Sequence, residues 1–147
     1  MKKFCYLAGP IEGCTGSEIN LWRETATTRL AELSDNQIVG INPYRAQETE
    51  YKGESSVAKQ IYDKNYYDTV NCDVVLAYLP KHLNERRPSY GTTFEIAWAT
   101  MLNKPIFIIT NDPDIERHPL FKASTQFFFK DVDEACSAIN DLIGGYI

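Results

Sequence analysis

Apolar residues fall along the chain in short blocks separated by longer stretches of mixed polarity. The first block, Phe4 to Ala8, stops at Gly9-Pro10 and predicts a buried strand ending in a sharp turn. Beyond a loop with Gly13 and Gly16, Ser17 is a candidate cap. Ile19, Trp22, Ala26, Leu30 and Leu33 then recur at three- and four-residue spacing, which predicts an amphipathic helix from about Ser17 to Ser34, closed by Asp35-Asn36. Gln37 to Ile41 reads as a second strand, ended by Asn42-Pro43. The polar stretch from Tyr44 to Ser56 has no period and is expected to be a loop or partly ordered lid.

From Val57 to about Asn71, the apolar face formed by Ile61, Tyr62, Tyr66 and Val70 predicts a second helix. Asp73 to Leu79 is almost continuously apolar after its first residue, as a central parallel strand covered on both faces must be. Pro80 to Pro88 reads as a loop. A third helix is expected from Gly91 to Leu102, a fourth strand from Lys104 to Ile109, a loop from Thr110 to His118, a weak fifth strand from Gln126 to Phe129, and a last helix from Asp131 to Ile143. Alternating strands and helices predict an α/β protein with an open parallel sheet of five strands and helices on both faces. In such sheets ligands bind outside the carboxyl ends of the strands, so the turns after Ala8, Ile41, Leu79 and Ile109 are the places to look.

Length and composition narrow the partners. With 147 residues, of which 44% are hydrophobic, the chain is expected to form one domain, 1–147. A net charge of -5 without a basic stripe argues against binding a nucleic-acid polymer. No apolar run approaches the roughly 20 residues a membrane span needs, and the start has no secretory pattern, so a soluble cytoplasmic protein without membrane contact is expected. Cys5, Cys14, Cys72 and Cys136 match neither a zinc pattern nor CxxC, and are expected to be reduced core thiols. His82 and His118 stand alone in loops and are read as surface or structural residues.

Two turns and one helix hold residues suited to chemistry. Gly9 lets the backbone approach a ligand closely while Pro10 fixes the exit direction, although a tight packing turn would use the same pair. The segment is neither a Walker loop nor GxGxxG. Ser89-Tyr90-Gly91-Thr92-Thr93-Phe94-Glu95 opens the third helix, which is expected to put Glu95 in its first turn at the ligand-bearing edge. There the helix dipole favours an ionised carboxylate, the form a nucleophile needs. Thr92 and Glu95 also have the spacing of a capping box, in which the glutamate merely bonds the helix start. On the second helix Tyr62, Asn65 and Asp68 follow at three-residue spacing and share a face. Asp63 reads as solvated, and Asp73 as a partner of local backbone amides.

The ordered set Tyr6-Leu7-Ala8-Gly9-Pro10-Ile11, Trp22-Arg23, Asn42-Pro43, Asn65 to Asp73, Ser89 to Ile96 and Lys104-Pro105-Ile106 resembles the nucleoside 2-deoxyribosyltransferases and their nucleoside or nucleotide N-glycosidase relatives, over nearly the whole chain. The resemblance implies a flavodoxin-like domain that cleaves the N-glycosidic bond of a nucleoside or its 5′-monophosphate through a glycosyl-enzyme ester, passing the sugar to another base or to water. It places Glu95 as the nucleophile and Tyr6 as the hydroxyl that orients it. Gly9, Pro10, Ile11 and Trp22 would form the sugar and base pocket, while Ser89, Gly91 and Thr92 would face the 5′ side of the sugar. No metal and no cofactor are implied; the partners are a small nucleoside or nucleotide and further copies of the chain, in a homodimer or larger homo-oligomer. The second helix and Gly144 to Ile147 are candidate contacts for that assembly.

The chain departs from the family pattern at two places. Asn65 stands where the family usually has an aspartate that donates a proton or contacts the base; an asparagine can hydrogen-bond a base but cannot act as a carboxylic acid. Asp68, nearly a turn away, or Asp63 is the candidate substitute. Glu12 stands where some nucleotide-hydrolysing members have an arginine, and would repel a 5′-phosphate, leaving Arg23, Arg86 and Arg87 as replacement cations. A non-catalytic binding module for a nucleotide-like metabolite is the main alternative. A phosphoacceptor receiver is disfavoured because Asp73 begins the central strand rather than ending it.

Overall fold

The computed structural model describes residues 1–45 and 51–144. In chain order the elements are β1 (Lys3–Ala8), α1 (Gly16–Leu33), β2 (Ile38–Ile41), α2 (Ser55–Asn71), β3 (Val74–Tyr78), α3 (Lys81–Arg86), α4 (Tyr90–Met101), β4 (Ile106–Ile109), α5 (Pro113–Arg117), α6 (Pro119–Ser124), β5 (Phe127–Phe129) and α7 (Val132–Ile143). The five strands are all parallel and lie in the order β2-β1-β3-β4-β5. This is the doubly wound, flavodoxin-like arrangement, whose strand order reverses between β1 and β3.

Alternation along each strand divides the core. Cys5 and Leu7 of β1, with Val74 and Leu76 of β3, face α1 and α7, where Trp22, Ala26, Leu30, Ala135, Cys136 and Ile139 cover them. Tyr6 and Ala8, with Val75 and Ala77, face the other way toward Ile96 and Ala99 of α4. Period-2 patterning therefore sends the Tyr6 side chain to the same side of the sheet as α4.

Four sequence expectations need correction. Pro80 to Pro88 is not all loop, because Pro80 caps the short helix α3. Thr110 to His118 likewise contains α5, which starts at Pro113 with Asp112 as its cap, and His118 caps α6 by accepting from Leu120 N at 3.3 Å. Ser17 is not the cap of α1. Thr15 is, in a reciprocal box with Glu18. Finally, Cys5, Cys72 and Cys136 are buried free thiols as expected, but Cys14 is only half-buried, in the loop before α1. Of the stretch Tyr44 to Ser56, residues 46–50 lie outside the described part; Ser55 and Ser56 already belong to α2. Gly145 to Ile147 also lie outside it.

Candidate active site

The strand order reverses between β1 and β3, the place where such sheets bind ligands, and buried Tyr6, Asp68 and Glu95 come together beside this crevice. Tyr6, fully buried on β1, donates its hydroxyl proton to Glu95 Oε2 on α4. Glu95 is 5% exposed and its carboxylate has no other hydrogen bond among the described residues, so Oε1 is the oxygen left for a ligand. α4 begins at Tyr90, which puts Glu95 in the second helical turn rather than the first. Its carboxylate reaches Tyr6 across the sheet edge and not the helix start, so there is no capping box; Thr92 instead shares a 2.6 Å hydrogen bond with Ser89.

This position reverses the expected electrostatics. The helix dipole acts within the first turn, whereas Glu95 lies beyond it and is desolvated. Burial lifts its carboxyl to about 7, against the opposing effects of the Tyr6 hydroxyl and the Arg23 and Lys64 cations; Asp68 nearby adds to the rise. The Tyr6 phenol is driven far above its ordinary value, first by burial and then by the Glu95 charge. Near neutrality the pair is thus a neutral phenol bonded to a carboxyl that readily gains or loses its proton.

Arg23 explains how the β1 exit is held. Its side chain is 1% exposed, and its guanidinium donates to the carbonyls of Leu7 (3.0 Å), Gly9 (3.0 Å) and Ile19 (2.6 Å). Burial lowers its pKa to about 10, which still leaves it cationic at neutral pH. With all its reach spent on backbone, Arg23 is not a free phosphate ligand. Arg86 and Arg87 are also engaged, the first with Glu18 (2.9 Å) and the second with Glu12 (2.9 Å). Gly9 is required by crowding: a Cβ there would lie 2.7 Å from the Trp22 ring. Trp22 itself lies on the α1 side of the sheet, stacked on Tyr78 with ring centroids 4.9 Å apart, and so supports the Gly9-Pro10 turn from behind. Its indole nitrogen is buried without a partner among the described residues. Outside that stack, Leu21, Trp22, Tyr78, His82, Leu83 and Val132 border an open groove of about 390 Å³ on the α1 face.

The second helix contributes from the other side. Asp68 is 8% exposed, and both its oxygens accept from Arg45, at 2.9 and 3.0 Å. Lys64 Nζ stands 4.0 Å from Asp68 Oδ2, donates to Asn65 Oδ1 at 2.8 Å, and also donates to the Pro43 carbonyl. Asp63 is exposed and pairs with Lys59, turned away from this group. Asp73 bonds the Phe4 amide at 2.8 Å, tying β3 to β1. Sequence reasoning missed Arg45 and Lys64. Arg45 lies just past the turn after Ile41, one of the strand ends already marked as ligand-bearing, so its charge there was the available signal.

Pro10 is buried and Ile11 half-buried at the exit from β1. Gly91 is exposed at the start of α4, where a Cβ would meet nothing within 4 Å. Tyr62 and Tyr66 stand edge-on to Trp98 at centroid distances of 5.0 and 5.2 Å, joining α2 to α4 through an aromatic patch that includes Phe94. Among the described residues, no helix is long and apolar enough to cross a membrane.

The chain matches the family model for nucleoside 2-deoxyribosyltransferase over residues 5–136. No curated protein sequence matches it significantly. Among solved structures it is similar to a 2-deoxyribosyltransferase from the psychrotolerant bacterium Bacillus psychrosaccharolyticus, with 17% identity over 89% of this chain and 88% of that one and a TM-score of 0.65. It is also similar to a CMP N-glycosidase of Clostridium botulinum, with 14% identity, 96% and 100% coverage and a TM-score of 0.60. A molybdenum cofactor binding protein from the phototrophic bacterium Rippkaea orientalis follows at 15% identity, 97% and 98% coverage and a TM-score of 0.59. At such identities these likenesses establish a shared fold. The family match is of another kind: it runs from β1 into α7, and the chain belongs to the nucleoside 2-deoxyribosyltransferase family.

Proposed function

We propose that the chain cleaves the N-glycosidic bond of a nucleoside or nucleoside 5′-monophosphate, with Glu95 as the nucleophile. The observation that carries this reading is the buried Glu95 carboxylate, bonded through Oε2 to Tyr6 and open at Oε1, in the crevice between β1 and β3. Oε1 attacks C1′ as the C1′–N bond breaks, and the electron pair of that bond leaves with the base. The transition state has oxocarbenium character, so a carboxylate held beneath C1′ stabilises it directly. In the second step a nitrogen of another base, or a water oxygen, displaces the ester and restores the carboxylate.

Tyr6 holds the carboxylate in one orientation, which is the positioning contribution to such a reaction. The Gly9-Pro10-Ile11 turn, supported by Trp22, supplies the floor of the sugar and base pocket. Ser89, Gly91 and Thr92 meet the sugar on its 5′ side. Asp68 shapes the site together with Arg45 and Lys64. The exposed aromatic patch of Tyr62, Tyr66 and Phe94 serves as a contact between copies of the chain in a homo-oligomer.

The test is to incubate the protein with a panel of nucleosides and 5′-monophosphates, with and without a second free base, and to follow base release and exchange by chromatography. Exchange that needs an acceptor base identifies a transferase, and release in water a hydrolase. Binding without turnover of any member would identify the alternative, a binding module, which Asn65 would suit because it cannot protonate a leaving base. Full activity in Glu95→Ala would exclude the ester mechanism.

A further inference from the structure

The α2 side of the crevice contains an amide whose orientation is fixed by a cation. Lys64 Nζ donates to Asn65 Oδ1 at 2.8 Å. An ammonium has donors only, so it can sit only on the oxygen side of the carboxamide. A rotation of the Asn65 amide would bring NH2 against NH3⁺. Lys64 cannot easily move aside, because it also donates to the Pro43 carbonyl and stands 4.0 Å from Asp68 Oδ2. Among the described residues the Asn65 side chain has no other hydrogen bond; its backbone carbonyl, besides its helical role, accepts from the Thr69 hydroxyl at 2.8 Å. Among the described residues neither Nδ2 proton has an acceptor, so both are available to a ligand.

Asp68, three residues further along the same face, cannot change this character, since both its oxygens are occupied by Arg45 at 2.9 and 3.0 Å. α2 therefore offers hydrogen-bond donors, with the positive charge of Lys64 behind them, and no carboxylic acid. A base leaving in front of such a surface receives no proton as its bond breaks. It must carry the electron pair away as an anion and place the charge on an atom that can accept from an amide.

Resting on the glycosyl-transfer reading above, we infer that the site selects a 2-oxopyrimidine of the lactam type, as in uracil or thymine nucleosides, whose O2 accepts from Asn65 Nδ2 while the base departs as an anion. The C1′–N1 bond breaks with its pair delocalised over N1 and O2, the C1′–O bond to Glu95 forms, and the free base takes its proton from water after leaving the site. An adenine nucleoside is the disfavoured case, because its release is eased chiefly by protonating the ring. Lys64 is a positioning residue here: it acts through Asn65 and touches no reacting atom.

The experiment compares base release by the wild-type protein from 2′-deoxyuridine, its 5-methyl and 5-fluoro derivatives, and 2′-deoxyadenosine. Release should accelerate with the acidity of the departing pyrimidine, fluoro above hydrogen above methyl, and 2′-deoxyadenosine should be at least about tenfold slower. That ratio corresponds to one hydrogen bond to a charged acceptor. Lys64→Met frees the amide to turn and should bring the pyrimidine-to-purine ratio toward one, as should Asn65→Leu, which keeps the volume and removes the donors. A merely structural role for Lys64 would slow both substrates alike and leave the ratio intact. A flat response to leaving-group acidity in the wild-type protein, or equal pyrimidine and purine rates, would overturn the inference while leaving glycosyl transfer standing. Release from no substrate, whether or not a second free base is present as acceptor, would overturn both.

Discussion

Replacing Glu95 by Gln should make the protein's stability less dependent on pH, by an amount that follows from burial alone. The carboxyl has its midpoint at 4.5 in an unfolded chain and about 7 in the folded protein. Between those values the folded state holds a proton that the unfolded state has lost, so stability falls as pH rises through the interval. Well above pH 7 the charged, buried carboxylate costs the folded state about 3 kcal/mol relative to low pH. Gln keeps the shape and can still accept from the Tyr6 hydroxyl, but does not titrate. The penalty for its extra amide protons is the same at every pH and drops out of the comparison.

The assay is thermal or urea unfolding of both proteins from pH 4 to pH 8. Wild-type stability should fall relative to the variant by about 3 kcal/mol over that range, or roughly 6–12 °C in midpoint for a chain of this size. Titration of every other group is common to both proteins and cancels. Parallel curves across the range would mean that the carboxyl ionises in the crevice as it does in water, and the desolvation argument would fail. A difference of the opposite sign would mean that Tyr6, Arg23 and Lys64 together outweigh burial.

The same carboxyl should set the acid limb of the rate profile: kcat/KM should rise with pH through about 7, as the nucleophile loses its proton. Tyr6→Phe removes a hydrogen bond that holds Glu95 down, so the limb should move to higher pH, with a loss of about 10- to 100-fold near neutrality; a limb that stays in place would refute the coupling. Gly9→Ala pushes a Cβ to within 2.7 Å of Trp22 and should cost about 1–3 kcal/mol in urea unfolding, whereas unchanged stability would show that the ring can yield. Gly91→Ala meets nothing within 4 Å and should stabilise α4 by up to about 1 kcal/mol. If Gly91 faces the sugar, that gain comes with a lower kcat/KM; unchanged kinetics would remove Gly91 from the pocket.

The sheet was readable because its signals are local. Each strand is a short apolar run, and Cys5 and Leu7 alternate with Tyr6 and Ala8 strictly enough to divide the two layers of the core. The helices α3, α5 and α6 were not readable, because runs of five or six residues complete too few turns to show a helical period. Their initiating prolines look the same in a loop. Glu95 could be singled out as a candidate but its electrostatics could not be read, since its carboxylate lies beyond the first turn of α4 and is buried against residues distant in sequence, Tyr6 among them. The Arg45–Asp68 and Lys64–Pro43 contacts join residues 23 and 21 positions apart, and no periodicity within either segment encodes such a meeting.

The buried guanidinium of Arg23 has a consequence for how such a pocket can diversify. Because the path of the chain out of β1 is clamped at Leu7 and Gly9 from within α1, the residues from Ile11 to Cys14 are relieved of holding that path themselves. On the reading proposed above, exchanging them should alter which ligand is admitted while leaving the Tyr6–Glu95 hydrogen bond in place. A guanidinium that touches no ligand thereby separates the part of the site free to vary from the part that must stay fixed. Libraries seeking new ligand preferences in this scaffold would do best to vary the loop and leave Arg23 untouched.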